Sequence, residues 1–163
     1  MLTLKIKRWR KDSKLPTIAK PGDAGADCFI DVFKEIINQN GKKELKELNQ
    51  EEYVLKPLER VGCGLGFCTE IPEGYYAAVV PRSGLALWEG ISLVNTPGTI
   101  DSGYRNEWVA IIANLSNKDV RLKRGDRICQ FILRKLEAYA MVEVDILSDS
   151  ERGLGGFGST GKQ

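Results

Sequence analysis

Short apolar stretches separated by Gly, Pro, Asn and Asp run through most of the chain, and the pattern is that of strands rather than helices. Val142, Val144 and Ile146 alternate with Glu143 and Asp145, the two-residue period of a half-buried strand. Residues 2–9, 74–80, 107–115, 127–136 and 141–146 are the candidate strands. Pro72-Glu73-Gly74 and Lys123-Arg124-Gly125-Asp126 read as turns. This spacing predicts an all-β barrel or sandwich in a single domain. One stretch differs: from residue 32 to 52 the chain turns to Lys, Glu, Asn and Gln. Phe33, Ile36 and Ile37 there sit at helical spacing before Asn40-Gly41, a helix stop signal, and Leu45 and Leu48 repeat three apart. A short helical insertion on the surface is the expectation for 32–52.

Composition narrows the chemistry. The chain has 163 residues, 42% of them hydrophobic, and a net charge of +2, which offers no electrostatic argument for a nucleic-acid or membrane partner. No apolar run approaches a membrane span, and the N-terminus has no signal-peptide core, so an intracellular, cytoplasmic protein is expected. Cys28, Cys63, Cys68 and Cys129 fit no common zinc spacing and read as buried free thiols. There is no histidine. That excludes a Ser-His-Asp triad, a Cys-His dyad and a His-ligated metal, and leaves a carboxylate as the leading general base.

Five segments carry candidate chemistry. Arg152-Gly153-Leu154-Gly155-Gly156-Phe157-Gly158-Ser159-Thr160-Gly161 is a glycine-rich tail. Its backbone can approach a ligand closely, its arginine and hydroxyls suit phosphate, and its phenyl ring suits a base. The tail nearly spells a P-loop. However, Gln163 stands where Ser or Thr is needed, and no strand precedes it. Pro81-Arg82-Ser83-Gly84-Leu85-Ala86, at a strand end, makes a second phosphate cradle, or else a turn opening a short helix at 85–89. Residues 95–104 read as a hairpin in which Asp101 is a plausible base for water and Tyr104 is an aromatic neighbour. Ala24-Gly25-Ala26-Asp27 and Gly125-Asp126-Arg127-Ile128-Cys129-Gln130 complete the set.

Taken together and in this order, the five segments resemble the motifs of the trimeric dUTP diphosphatase (dUTPase) family, and Pro72-Glu73-Gly74-Tyr75 matches the usual lead-in to the second. The resemblance implies a jelly-roll-like distorted barrel with a flexible C-terminal arm (150–163) closing over the active site. It also implies hydrolysis of dUTP to dUMP and pyrophosphate. By resemblance, Arg82, Ser83 and Gly84 hold phosphates with Gln130 nearby. Asn95, Gly98, Thr99 and Ile100 read the uracil edge. Tyr104 packs under the deoxyribose, and Asp101 deprotonates the attacking water. Arg152, Gly158, Ser159 and Thr160 close on the phosphates while Phe157 covers the uracil. Mg²⁺ is held mainly by the triphosphate, with Asp27 as an outer-shell contributor, and active sites are shared among the three chains of a homotrimer. Cys28, Gly103 and Asn106 depart from the family pattern. The related dCTP deaminases place a catalytic glutamate where this chain has Ile111, and a non-catalytic homologue would be expected to lose Asp101 or Arg152. Both rival readings are thereby disfavoured.

Overall fold

The computed structural model describes residues 2–155. Its first strands are β1 (Lys5–Arg8), β2 (Thr17–Ile18), β3 (Ala26–Phe29), β4 (Val32–Gln39), β5 (Lys42–Leu48), β6 (Glu52–Leu55), β7 (Arg60–Gly64) and β8 (Phe67–Glu70). They are followed by β9 (Tyr75–Pro81), α1 (Ser83–Glu89), β10 (Ile91–Leu93), β11 (Gly98–Ile100), β12 (Val109–Asn114), β13 (Val120–Lys123) and β14 (Arg127–Lys135). Two five-stranded sheets, ordered β10-β12-β7-β4-β5 and β11-β9-β14-β3-β2, form the body, with two-stranded ribbons β1-β8 and β13-β6 beside them. The all-β, jelly-roll-like expectation holds, although none of these sheets closes on itself as a barrel.

One apolar core takes side chains from both large sheets: Phe33, Val61, Cys63 and Ile112 from the first, Cys28, Val79, Cys129 and Phe131 from the second. Trp108 joins them, tilted against Phe67 at 5.0 Å and edge-on at 5.1 Å to Phe131. All four cysteines are free and buried, as the sequence indicates. Cys28 and Cys129 face each other across the β3–β14 ladder. Their contact and their burial both push the Cys28 thiol up. Among the described residues no helix is long and apolar enough to cross a membrane.

The helical expectation for 32–52 is wrong. That stretch is the β4–β5 hairpin running into β6, with Ile36 opposite Leu45 and Phe33 opposite Leu48. Asn40 (φ 51°) and Gly41 (φ 76°) are both left-handed, the geometry of a two-residue hairpin turn, for which Asn-Gly is the preferred pair. The Asn40-Gly41 dipeptide is thus a strand reversal and not a helix stop. Nor is the stretch wholly peripheral, because Phe33 is fully buried and β4 pairs with β7 inside the first sheet. The strand expected at 141–146 is also absent. Met141, Val142, Val144 and Ile146 are exposed and pair with no strand among the described residues. The expected hairpin at 95–104 is instead an excursion between sheets. β10 pairs with β12, β11 crosses to pair with β9, and the turn after Ile100 returns the chain to β12.

Candidate functional site

Adjacency of β9, β14 and β3 brings three of the five segments to one place. Gln130 lies opposite Val80 on one side and Asp27 on the other, while Cys129 lies opposite Pro81. Arg82, one residue past β9, donates from Nε to Asp27 Oδ1 at 3.0 Å. Because Nε makes this bond, the two terminal amino groups of the guanidinium stay available for a second, forked partner. Arg127 Nη1 donates to the other oxygen, Asp27 Oδ2, at 3.1 Å. The carboxylate is 14% exposed and so sits, nearly buried, between two guanidiniums.

Gln130 donates from Nε2 to the Pro81 carbonyl at 3.1 Å, which ties β14 to the residue preceding Arg82. Gly25 makes this possible. A Cβ there would stand 2.2 Å from Gln130 Oε1, so a side chain would displace the amide. Ser83 and Gly84 are exposed at the start of α1, where first-turn N–H groups have no intrahelical acceptor. Position 85, read either as cradle or as helix, lies inside α1. Arg82, Arg127, Arg121 and Asp126 line a polar cleft of about 310 Å³. Arg127 and Gly25 were not singled out among the sequence-derived binding residues. Arg127 stands in the Asp126-Arg127 pair at the strand entry and Gly25 in the Gly-rich loop, but the pairing with Asp27 and Gln130 needs the register of three strands to be seen.

The third segment forms a second cluster. Asn95 is exposed, and its side-chain amide lies against Gly98, whose missing Cβ would stand 3.4 Å from Nδ2. Thr99 and Ile100 follow on β11. Asp101 is exposed, and its carbonyl accepts from the Tyr104 N–H at 3.1 Å, which closes the turn. Tyr104 Oη donates to the Glu107 carbonyl at 3.1 Å. The turn therefore carries a carboxylate and an aromatic side chain three residues apart, and the Asn95 amide stands at the other end of β11.

These two clusters do not meet within one chain. Ile100 pairs with Ala77, and Arg82 lies five residues further on, just past the end of β9, about 17 Å at the usual strand rise. Asp101 continues in the opposite direction. The separation is too great for Asp101 and Arg82 to act on one phosphate group.

In the tail, Arg152 is exposed and its Nε donates to the carbonyl of Gly155 at 2.9 Å, inside a pair of turns. Phe157, Gly158, Ser159 and Thr160 lie outside the described residues.

A dUTPase family model matches residues 48–161. A deoxyuridine 5'-triphosphate nucleotidohydrolase of Thermobifida fusca is 44% identical to the chain, covering 97% of it and 78% of that relative. One from Hydrogenobaculum sp. is 39% identical over 98% of this chain and 99% of its own. Among solved structures, a mutant dUTPase of Staphylococcus bacteriophage 80alpha with dUpNHpp superposes with a TM-score of 0.77. It is 25% identical and covers 98% of both chains.

Proposed function

The chain belongs to the dUTPase family and is a dUTP nucleotidohydrolase, and on that footing we propose how its own residues divide the work. Asp101 orients the attacking water and takes its proton. In a chain without histidine, a carboxylate in an exposed turn beside an aromatic face is well suited to this. Tyr104 packs under the deoxyribose, and its anchored ring crowds a 2′-hydroxyl. Asn95 with Gly98, Thr99 and Ile100 pairs with the uracil edge. Arg82, Ser83 and Gly84 bind the phosphates, aligned by Asp27 and by the Gln130–Pro81 tie. Arg152 with Gly158, Ser159 and Thr160 closes over the triphosphate, and Phe157 covers the uracil. Water attacks the α-phosphorus in line and pyrophosphate leaves, a transfer that depends on positioning and charge neutralisation.

Magnesium fits this scheme as a partner of the triphosphate, where it neutralises charge on the phosphate oxygens. No cluster of three or more carboxylates or thiols suited to a metal is gathered among the described residues. Asp27, the expected outer-shell contributor, has each oxygen engaged by a guanidinium, which supports an aligning role for it instead.

The observation that carries the assembly is the separation of Asp101 from Arg82 along β9. One complete site then takes Asp101 from one copy and Arg82 from another, as in a homotrimer with shared sites. The exposed apolar residues at 139–147 offer surface for such contacts.

The reaction is tested by incubating the protein with Mg²⁺ and dUTP, dCTP, dTTP or UTP, and assaying pyrophosphate and ammonia. Pyrophosphate from dUTP alone is expected. Ammonia from dCTP, or no turnover at all, would contradict the reading. Asp101→Asn should retain nucleotide binding while losing most turnover.

A further inference from the structure

Behind the 101–107 turn lies a buried ion cluster with no part in the hydrolysis scheme. Glu107 is 2% exposed. Its Oε1 accepts from Arg10 Nη1 at 2.7 Å and from the Gly66 N–H at 3.1 Å, and its Oε2 lies 2.7 Å from Lys34 Nζ. Arg10 also holds Asp31 at 2.6 Å, and Glu47 closes the cluster outside by contacting both Arg10 and Lys34. Space for the carboxylate is provided by Gly64, where a Cβ would lie 2.9 Å from Glu107 Oε1 and 2.8 Å from Lys34 Cε. The cluster thus ties together the segment after β1, the strand β4, the loop after β7 and the foot of the turn.

A cluster of this kind is not a requirement of stability. Well-packed apolar side chains of similar volume commonly serve as well, because desolvating the charges offsets their attraction. What this cluster does supply is a fixed place for Glu107, which in turn fixes Tyr104 and Asp101. The Glu107 carbonyl takes the Tyr104 hydroxyl, and the Tyr104 N–H goes to the Asp101 carbonyl. Below the foot, the Trp108 N–H donates to the Phe67 carbonyl at 3.0 Å, and the Leu65 N–H donates to the Trp108 carbonyl at 2.9 Å.

We propose that Glu107 is a positioning residue for dUTP hydrolysis: its carboxylate, clamped by Arg10, Lys34 and the Gly66 N–H, sets the turn on which Asp101 and Tyr104 stand. The consequence for the reaction rests on the roles given to Asp101 and Tyr104; the clamp itself does not. Two variants test it. Glu107→Gln keeps the shape and the acceptor for Gly66 but removes the charge. Arg10→Met removes one clamp from a partly exposed position and leaves Lys34 in place. Amide hydrogen exchange is read at Tyr104 and, as the control for the core, at Ile112, alongside kcat and KM for dUTP and the preference for dUTP over UTP. Exchange at Tyr104 should quicken about tenfold while Ile112 keeps its protection. In addition, kcat should fall about tenfold with KM little changed, and the dUTP preference should narrow. Unchanged exchange at Tyr104, loss of protection equally at Ile112, or parental kcat and selectivity in both variants would each overturn the proposal. If the unmodified protein did not turn over dUTP, the reaction assignment would fail, and the exchange comparison would still decide whether the clamp exists.

Discussion

Gly25 shows how much of the Arg82–Gln130 cluster depends on a missing atom. Its backbone is not unusual, and the constraint is space: Gln130 Oε1 occupies the volume a methyl group would need. Gly25→Ala should push the Gln130 amide off the Pro81 carbonyl, tilt Arg82, and lower kcat/KM for dUTP about tenfold or more. The melting temperature should change little, since the loop is mostly exposed. Steady-state kinetics beside thermal denaturation would check this; parental kcat/KM would show that Gln130 does not align the site. At this scale the sequence was informative about residue types and silent about partners. A chain without histidine points to a carboxylate base from composition alone. That Asp27 joins Arg82 to Arg127 follows only from the registers of β3, β9 and β14, which bring together residues up to 100 positions apart.

At the scale of elements, the β4–β5 hairpin marks where local pattern misleads. Phe33, Ile36 and Ile37 fit a helix by spacing, and Lys and Glu are good helix formers. Two features outweigh them: an Asn-Gly turn with both residues left-handed, and the pairing of β4 with β7. The strands at 74–80, 107–115 and 127–136 were legible because each carries an apolar run bounded by turn residues. The 141–146 segment has the right alternation and no partner among the described residues, and alternation without a neighbouring edge does not make a strand.

The charge and hydroxyl contacts of this region set its response to pH. Burial and the hydrogen bond to Glu59 push the Tyr53 hydroxyl up to about 12 from its ordinary 10.0. Burial by itself would lower the Lys34 ammonium, but Glu107 and Glu47 outweigh it and hold the group above its ordinary 10.5. Both folded values lie above the unfolded ones. Both contributions are therefore complete below about pH 10 and are lost as the pH rises through the folded values. Melting temperature should hold to about pH 10 and decline toward pH 12, and Tyr53→Phe should make the decline shallower. An identical decline in that variant would place the loss elsewhere. On the acid side the sign reverses. Burial would raise the Glu47 carboxyl, but Lys34 and Arg10 hold it below its usual 4.5. Its contribution is present above that value and lost as the pH falls beneath it.

The molecule as a whole presents two separated clusters of candidate site residues. One gathers Arg82, Asp27, Arg127 and Gln130 where β9, β14 and β3 meet. The other holds Asp101 and Tyr104 on a turn that β11 carries in the opposite direction along β9. Motif order alone shows that the parts are present and cannot show that a chain fails to join them; the distance along a strand does. The proposed homotrimer would resolve this, since a closed ring of three would bring each cluster to one on a neighbouring copy. The most direct test is complementation. Arg82→Ala chains and Asp101→Asn chains, each inactive alone, are mixed in equal amounts, unfolded and refolded together, and assayed for pyrophosphate release from dUTP. Sites built from two different copies predict recovery of about one quarter of the parental rate, the fraction of interfaces in which an intact Arg82 meets an intact Asp101. Activity that stays at the level of the separate variants would mean that each site is built within one chain, contrary to a site shared between copies.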